Sequence, residues 1–224
     1  AVGHRVLHGG ELFQDSVKIN EEAMQKMESL KPLGPLHMPA NISGIRAVQK
    51  LLPNVPQVAV FDTVFHQTMK KEAFMYALPL EYYTEHKIRR YGFHGISHAY
   101  VSKEAAKLIG HRGKIITCHL GNGASLAAVN NGKCVDPSMG FTPLAGIIMG
   151  TRSGDIDPFI AVHLQKLLGK SADEVNNTLD QHVKGIGKRH VADVHHRKPE
   201  QVLGVGPCGN NVAVVRYKFG MRSE

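Results

Sequence analysis

Four polar clusters in the 224-residue sequence carry side chains suited to chemistry. Asp62 closes the apolar run Val58-Ala59-Val60-Phe61 and is followed by Thr63 and His66. Open α/β sheets place ligands at the carboxyl ends of their strands, although an Asp there also simply caps a turn. His119-Leu120-Gly121-Asn122-Gly123 lies between two apolar runs. Glycines there let backbone N–H groups approach an anion, and Asn-Gly is equally the mark of an ordinary tight hairpin. In Tyr91-Gly92-Phe93-His94-Gly95-Ile96-Ser97-His98, two glycines bracket His94. The plain account is a turn with a satisfied histidine. Gly150-Thr151-Arg152-Ser153-Gly154 holds one arginine in a polar loop. Its planar fork matches phosphate or carboxylate oxygens, or it is a solvated surface arginine. With Arg5 added, the set contains two arginines, a strand-end carboxylate, a loop histidine and a glycine turn. That combination suits transfer of a phosphoryl group, where positioning and charge neutralisation do most of the work. Neither a Walker lysine motif nor a protein-kinase Gly-rich loop is present.

The elements that must hold these residues read as α/β. A short strand is expected at Arg5–His8, breaking at Gly9-Gly10. Asn20 caps a helix to about Leu30, with Glu21 and Glu22 in its first turn and Met24, Met27 and Leu30 at helical spacing. Pro32, Pro35 and Pro39 predict an extended loop around His37. Asn41 is expected to cap a second helix, with Ile45, Val48, Leu51 and Leu52 as its apolar face and Pro53 as its stop. Val58–Phe61 reads as a buried parallel strand. A helix over Ala99–Ile109 closes at Gly110. Lys114–Leu120, Ala124–Val129 and Lys133–Val135 read as an antiparallel meander, its second turn built on Asn131-Gly132. Pro158 opens a helix ending at Leu168-Gly169, and Ser171-Ala172-Asp173-Glu174 is a capping box for another.

Composition narrows the classes. The chain is 42% apolar and 21% charged, so it can bury a core. No stretch approaches the roughly 18–20 apolar residues of a membrane span. Three cysteines (Cys118, Cys134, Cys208) make no disulfide framework and fit no zinc motif. A cytoplasmic protein is the default reading. The net charge of +8 invites a nucleic-acid reading. However, the segment from residue 182 onward carries eight Lys or Arg against three acids. The excess is therefore concentrated in a tail with only Tyr217 and Phe219 to interleave, and neither nucleic acid nor membrane is the expected partner.

The motifs taken together resemble the acetokinase family of acetate and propionate kinases. The matching stretches are Gly3–Glu11, Pro35–Asn41, Phe61–Met69, Tyr91–His98, Ile116–Ser125, and Ser138–Leu144 with Met149–Pro158. They run from Gly3 to about Gln181. The resemblance implies a sugar kinase, heat-shock protein and actin-like (ribonuclease H-like) fold, two α/β domains with a cleft, here truncated at both ends. It implies residues 1–62 as the remainder of an acceptor-side domain and 63–181 as the first part of a nucleotide-side domain. It implies ATP-dependent, Mg2+-dependent, reversible phosphorylation of acetate or propionate. By the same resemblance, Arg5 binds the carboxylate and Asp62 is the essential acid, acting on the acceptor or through the metal. His94 and Arg152 stabilise the transferring group, His37 lines the acceptor end, and His119, Leu120, Gly121, Asn122 and Gly123 hold nucleotide phosphates. No residue is assigned as a metal ligand. Family members are commonly homodimers.

The family's first phosphate loop, adenosine loop and metal-side glutamate have no counterpart in residues 1–224. Residues 182–224 do not fit the pattern and look like a reading-frame shift. The expectation is that the chain alone has no measurable turnover, folds poorly, and leaves the Val58–Phe61 strand with an unpaired edge. The alternative is a non-catalytic, anion-binding remnant of the same fold.

Overall fold

The computed structural model describes residues 1–183 and the backbone of 212–217. In chain order the elements are β1 (Val2–Val6), β2 (Val17–Lys18), α1 (Glu21–Ser29), α2 (Met38–Leu51), β3 (Gln57–Phe61), α3 (Lys71–Phe74), α4 (Leu80–Thr84), α5 (Gly95–Ile109), β4 (Lys114–Leu120), β5 (Ala124–Asn130), β6 (Lys133–Pro137), α6 (Pro158–Leu168), α7 (Ala172–Gln181) and β7 (Val212–Tyr217). Several start and stop signals act as written. The Asn20 side chain accepts from Ala23 N at 2.8 Å to open α1. Both bonds of the Ser171–Glu174 capping box are made. Gly110 and Gly169 end α5 and α6 in the left-handed region.

Two sheets carry the site. In the first, β3 runs parallel to β1 and antiparallel to β2, in the order β1-β3-β2. The expected open edge on Val58–Phe61 is covered in part: β1 pairs along the whole of β3 on one side, and the two residues of β2 pair with Val58 and Ala59 on the other. In the second, β4, β5 and β6 form the expected meander, and β7 adds in parallel to β4, giving the order β6-β5-β4-β7. Asn131 and Gly132 both take positive φ, as a tight right-twisting hairpin turn requires. Of the tail from 182 onward, the structure describes residues 182–183 and the β7 backbone; the frameshift reading otherwise lies outside the described residues.

The helix around His37 differs most from expectation. No extended loop forms there. A 3-10 turn covers Lys31–Leu33, and α2 begins at Met38 with His37 as its N-cap. Pro39 sits in the first turn, where its missing N–H has no helical partner to lose. Asn41 is inside the helix, and its side chain accepts from Leu7 N at 3.0 Å, tying α2 to the end of β1. Because the helix starts early, its buried face is Met38, Ile42 and Ile45, while Leu51 and Leu52 are exposed. The strand expected at Arg5–His8 is likewise earlier, at Val2–Val6, and α5 starts four residues before Ala99.

The main core joins both sheets. Val6, Ala59 and Phe61 of the first pack with Met24, Met27, Met38 and Ile45 from α1 and α2, and also with Phe93, Ala124, Met139 and Met149. Phe13 stacks on Phe61 with centroids 4.2 Å apart. This continuous apolar contact fixes the carboxyl end of β3 against the start of α5 and the β4–β5 turn. Among the described residues no helix is long and apolar enough to cross a membrane.

Candidate functional site

Arg5 and Asp62 meet first. Asp62 follows the last residue of β3, and its N–H donates to Val6 O at 3.0 Å. Arg5 stands opposite Val60 in the parallel register, so its side chain reaches the strand end. Its Nε donates to Asp62 Oδ1 at 3.2 Å, and its Nη2 donates to Oδ2. Asp62 is buried, while Arg5 remains largely exposed.

The Asp62 carbonyl accepts from Gly95 N at 2.8 Å. A Cβ on Gly95 would overlap that carbonyl oxygen, so only glycine fits. Immediately before it, His94 takes φ 59°, ψ 22° as the N-cap of α5. A left-handed non-glycine residue costs about 1–2 kcal/mol. The conformation turns the half-buried His94 ring against His119, the rings stacking with centroids 4.0 Å apart and an interplanar angle of 22°. His94 Nδ1 lies 2.8 Å from Ser125 Oγ, and His119 Nδ1 lies 2.9 Å from Ser97 Oγ.

The β4–β5 turn completes the arrangement. Gly121 N donates to Gly123 O at 3.1 Å, closing the turn. Gly150 N donates to Asn122 O at 3.0 Å, and a Cβ at Gly150 would overlap the Asn122 side chain. This close approach brings the loop bearing Arg152 onto the hairpin. A Cβ built on Gly123 would lie 3.4 Å from both Arg152 Nη1 and His94 Nε2. Gly123, His94 and Arg152 therefore share one small space. Arg152 is held by Pro143 O, 3.0 Å from Nη1, and by Asp180, whose Oδ1 is 3.3 Å from Nε.

Electrostatics keep these imidazoles neutral. Burial pushes the His94 pKa down to about 2, with further lowering from His119, His98, Arg5 and Arg152. Burial also lowers His98 to about 3. His119 is lowered by burial, with Asp62 opposing and Arg5 reinforcing the shift. Asp62 and Arg5 are thus within electrostatic reach of the stacked pair. The structure brings Arg5, Asp62, His94, His119, Gly121–Gly123 and Arg152 into one neighbourhood. His37 stands exposed at the start of α2, and its ring joins no hydrogen bond with the others among the described residues.

The sequence matches the Acetokinase family over residues 1–198. The chain belongs to that family. It is 57% identical over 224 residues to the acetate kinase of Thermotoga maritima, covering 98% of this chain and 56% of the relative. It is 60% identical to that of Fervidobacterium nodosum, covering 98% and 55%. The chain spans about half the length of the curated relatives it matches. Among solved structures, a propionate kinase from Francisella tularensis superposes with TM-score 0.78 at 50% identity, covering 80% of this chain and 48% of that one. The acetate kinase of Porphyromonas gingivalis gives 0.77 at 49% identity, covering 81% and 46%. The fold is accordingly the α/β, actin-like fold of these kinases.

Sequence reasoning missed the residues behind the site. Ser97 and His98 lie in the Tyr91–His98 motif and Thr117 and Ser125 in the Ile116–Ser125 stretch, but sequence alone gives them no role, and it does not single out Asp180. One signal was available: His98 lies four residues after His94, one helical turn along α5. No sequence signal pairs Asp180 with Arg152, because α7 and the Arg152 loop meet only through tertiary folding.

Proposed function

We propose that this chain supplies the acceptor and phosphoryl end of an acetate or propionate kinase. An oxygen of the carboxylate attacks the γ-phosphorus of ATP, the bond from that phosphorus to the β,γ-bridging oxygen breaks, and acyl phosphate and ADP result; the reverse runs through the same geometry. The convergence of His94, Arg152 and Gly123 carries this reading. A guanidinium and a neutral imidazole that converge on one glycine are the groups suited to neutralise and bond a phosphoryl oxyanion. In the Gly121–Gly123 turn the Gly121 N–H closes the turn on Gly123 O, and the N–H groups of Asn122 and Gly123 are the candidates for nucleotide phosphates. Arg5 is the candidate partner of the carboxylate, and Asp62 holds its fork in place. His37 at the start of α2 is the candidate lining of the acceptor end.

Magnesium is the ion that the family resemblance implies. The ion commonly takes one or two carboxylates with waters and substrate phosphates. Asp62 is the strand-end carboxylate at the site, but both of its oxygens bond Arg5 and its side chain is buried, so the ion would need that pair to open. When bound, it would neutralise phosphate charge. The reading divides the chain into an acceptor-side part, 1–62, and a nucleotide-side part from 63 to 181. It also implies a cytoplasmic setting, where ATP is the donor at hand.

The test is a hydroxamate assay for acetyl phosphate on a full-length protein carrying residues 1–181 of this sequence. Asp62→Asn and Arg152→Ala are expected to abolish most turnover while the fold is kept. Turnover within about tenfold of the parent in both would overturn the reading. The same assay on the 224-residue chain measures directly what it does alone.

A further inference from the structure

His94 stands between two peptide planes, and both are bonded to the short segment from Asp62 to His66. The plane after it is held by Gly95 N, which donates to Asp62 O at 2.8 Å. The plane before it carries the Phe93 carbonyl, and His66 Nε2 lies 3.0 Å from that oxygen. His66 sits in a 3-10 turn over Val64–Thr68 and is fully buried. Its ring packs into the space left at Gly92, where a Cβ would lie 2.8 Å from the ring.

A carbonyl oxygen only accepts, so the His66 ring must donate, and Nε2 carries a proton. Burial pushes the His66 pKa down to about 4, so the ring is neutral near pH 7 and Nδ1 is bare. Cys134 Sγ, 3.1 Å from Nδ1, then donates its S–H. Burial pushes that thiol up to about 12, so it keeps its proton. One tautomer thus satisfies both ring nitrogens. Each amide plane is rigid. With the Phe93 carbonyl held by His66 and the Gly95 N–H held by Asp62, the torsions left between the two planes are φ and ψ of His94, at 59° and 22°. Releasing the first plane lets that peptide rotate, and His94 can return to the broad regions at negative φ. Its ring then leaves the stack on His119 and the space it shares with Gly123 and Arg152.

We propose that His66 is a positioning residue for His94: its Nε2–H holds the Phe93 carbonyl and so keeps His94 left-handed, with its ring against His119 and beside Gly123. The bond and the conformation stand on the structure. Only the expected effect on turnover rests on the phosphoryl-transfer reading.

The experiment is NMR of the labelled 224-residue chain at pH 7. A long-range 1H–15N correlation, with His66 assigned through His66→Gln, is expected to show protonated Nε2 and bare Nδ1. A bare Nε2 overturns the proposal. The strong HN–Hα cross-peak within His94 that marks a left-handed residue is then followed in three variants. His66→Leu, which removes the donor, is expected to lose it. His66→Gln, whose amide can reach the same carbonyl, is expected to keep it. Cys134→Ala, which removes only the second ring bond, is expected to keep it too. An unchanged cross-peak in His66→Leu overturns the proposal, as does its loss in His66→Gln or in Cys134→Ala. If His66→Leu does not fold, the other two variants and the parent tautomer decide. In a full-length kinase carrying residues 1–181, His66→Leu is expected to lower kcat with little change in the acetate constant, and His66→Gln to recover most of the loss. Misplacing a reacting group by about 1 Å can cost on the order of 100-fold. Loss of the His94 cross-peak at unchanged kcat upholds the positioning and overturns the phosphoryl role of His94.

Discussion

Arg5 holds Asp62 side-on, giving Nε to Oδ1 and Nη2 to Oδ2. The pair is unequal: the Asp62 side chain is 2% exposed and the Arg5 side chain 62%. The carboxylate has been withdrawn from water and the guanidinium has not. The parallel register of β1 and β3 produces this, because it sets Arg5 opposite Val60 and so within reach of the residue after β3. Asp62 fills the side-on Nε/Nη2 fork, which leaves the end-on Nη1/Nη2 donors of the exposed guanidinium facing away from it.

Removing Arg5 should therefore harm stability through Asp62. Arg5→Leu leaves a buried carboxylate without its cation, at a cost of about 1–3 kcal/mol. The double variant Arg5→Leu/Asp62→Asn is expected to melt higher than Arg5→Leu alone. Thermal melts of the two decide it, and a lower melting point for the double variant would refute the pairing argument. In a full-length kinase, Arg5→Leu is also expected to raise the apparent constants for acetate and acetyl phosphate.

Arg152→Ala should act on turnover. Loss of one donor aimed at developing charge typically costs about 100- to 1000-fold in kcat. The expected pattern in a full-length protein is a fall of that order with little change in acetate dependence. A rise in the acetate constant at unchanged turnover would assign Arg152 to ground-state binding.

Acid should unfold the chain early. Burial first, then the Arg89 charge, pushes His8 down to about 4. Burial likewise takes His66 to about 4, partly opposed by its hydrogen bond to Phe93 O. His94 and His98 lie lower still. Each ring binds a proton more readily unfolded, near 6.5, than folded, so the stability these rings confer is present above about pH 6.5. It is lost as pH falls towards about 4, at up to about 1.4 kcal/mol per pH unit for each ring. Melting temperatures from pH 8 to pH 5 should drop below pH 6.5. A flat profile would show that the rings are protonated in the native state.

Gly95→Ala should be worse than its size suggests. Its methyl would overlap the Asp62 carbonyl oxygen, which is backbone and cannot swing aside. Overpacking of this kind costs about 1–3 kcal/mol. Gly110→Ala is the comparison: nothing lies within 4 Å of its Cβ, so its cost comes from the left-handed backbone alone. Equal melting points for the two would remove the close contact from the account.

Much of this was legible because local rules govern it. Asn20, Ser171, Pro158 and Asn131-Gly132 specify ends and turns through bonds to near neighbours, and the structure makes them. Asp62, His94, Arg152 and the Gly121–Gly123 turn stood out because glycines and strand ends surround them. What could not be read depends on distant partners. Asn41 looked like a cap, yet it serves Leu7, 34 residues away. The prolines near His37 looked like helix breakers, yet Pro39 occupies the one turn that tolerates it. His98 of α5 lies within hydrogen-bond distance of Thr117 on β4 and of Ser125 on β5, and nothing in sequence spacing brings those three together.

The bond from Gly95 N to Asp62 O works as a ruler. It ties the backbone that carries the acid to the backbone that carries the imidazole, with no side chain in between to flex. The Arg152 loop and the hairpin turn are bonded to each other, Gly150 N to Asn122 O, beside this fixed length. The spacing of acid and imidazole is then inherited from peptide geometry and not renegotiated at each encounter with a ligand. Substitutions drifting through the surrounding core can retune the packing, but they cannot lengthen that interval without first breaking the peptide contact that sets it.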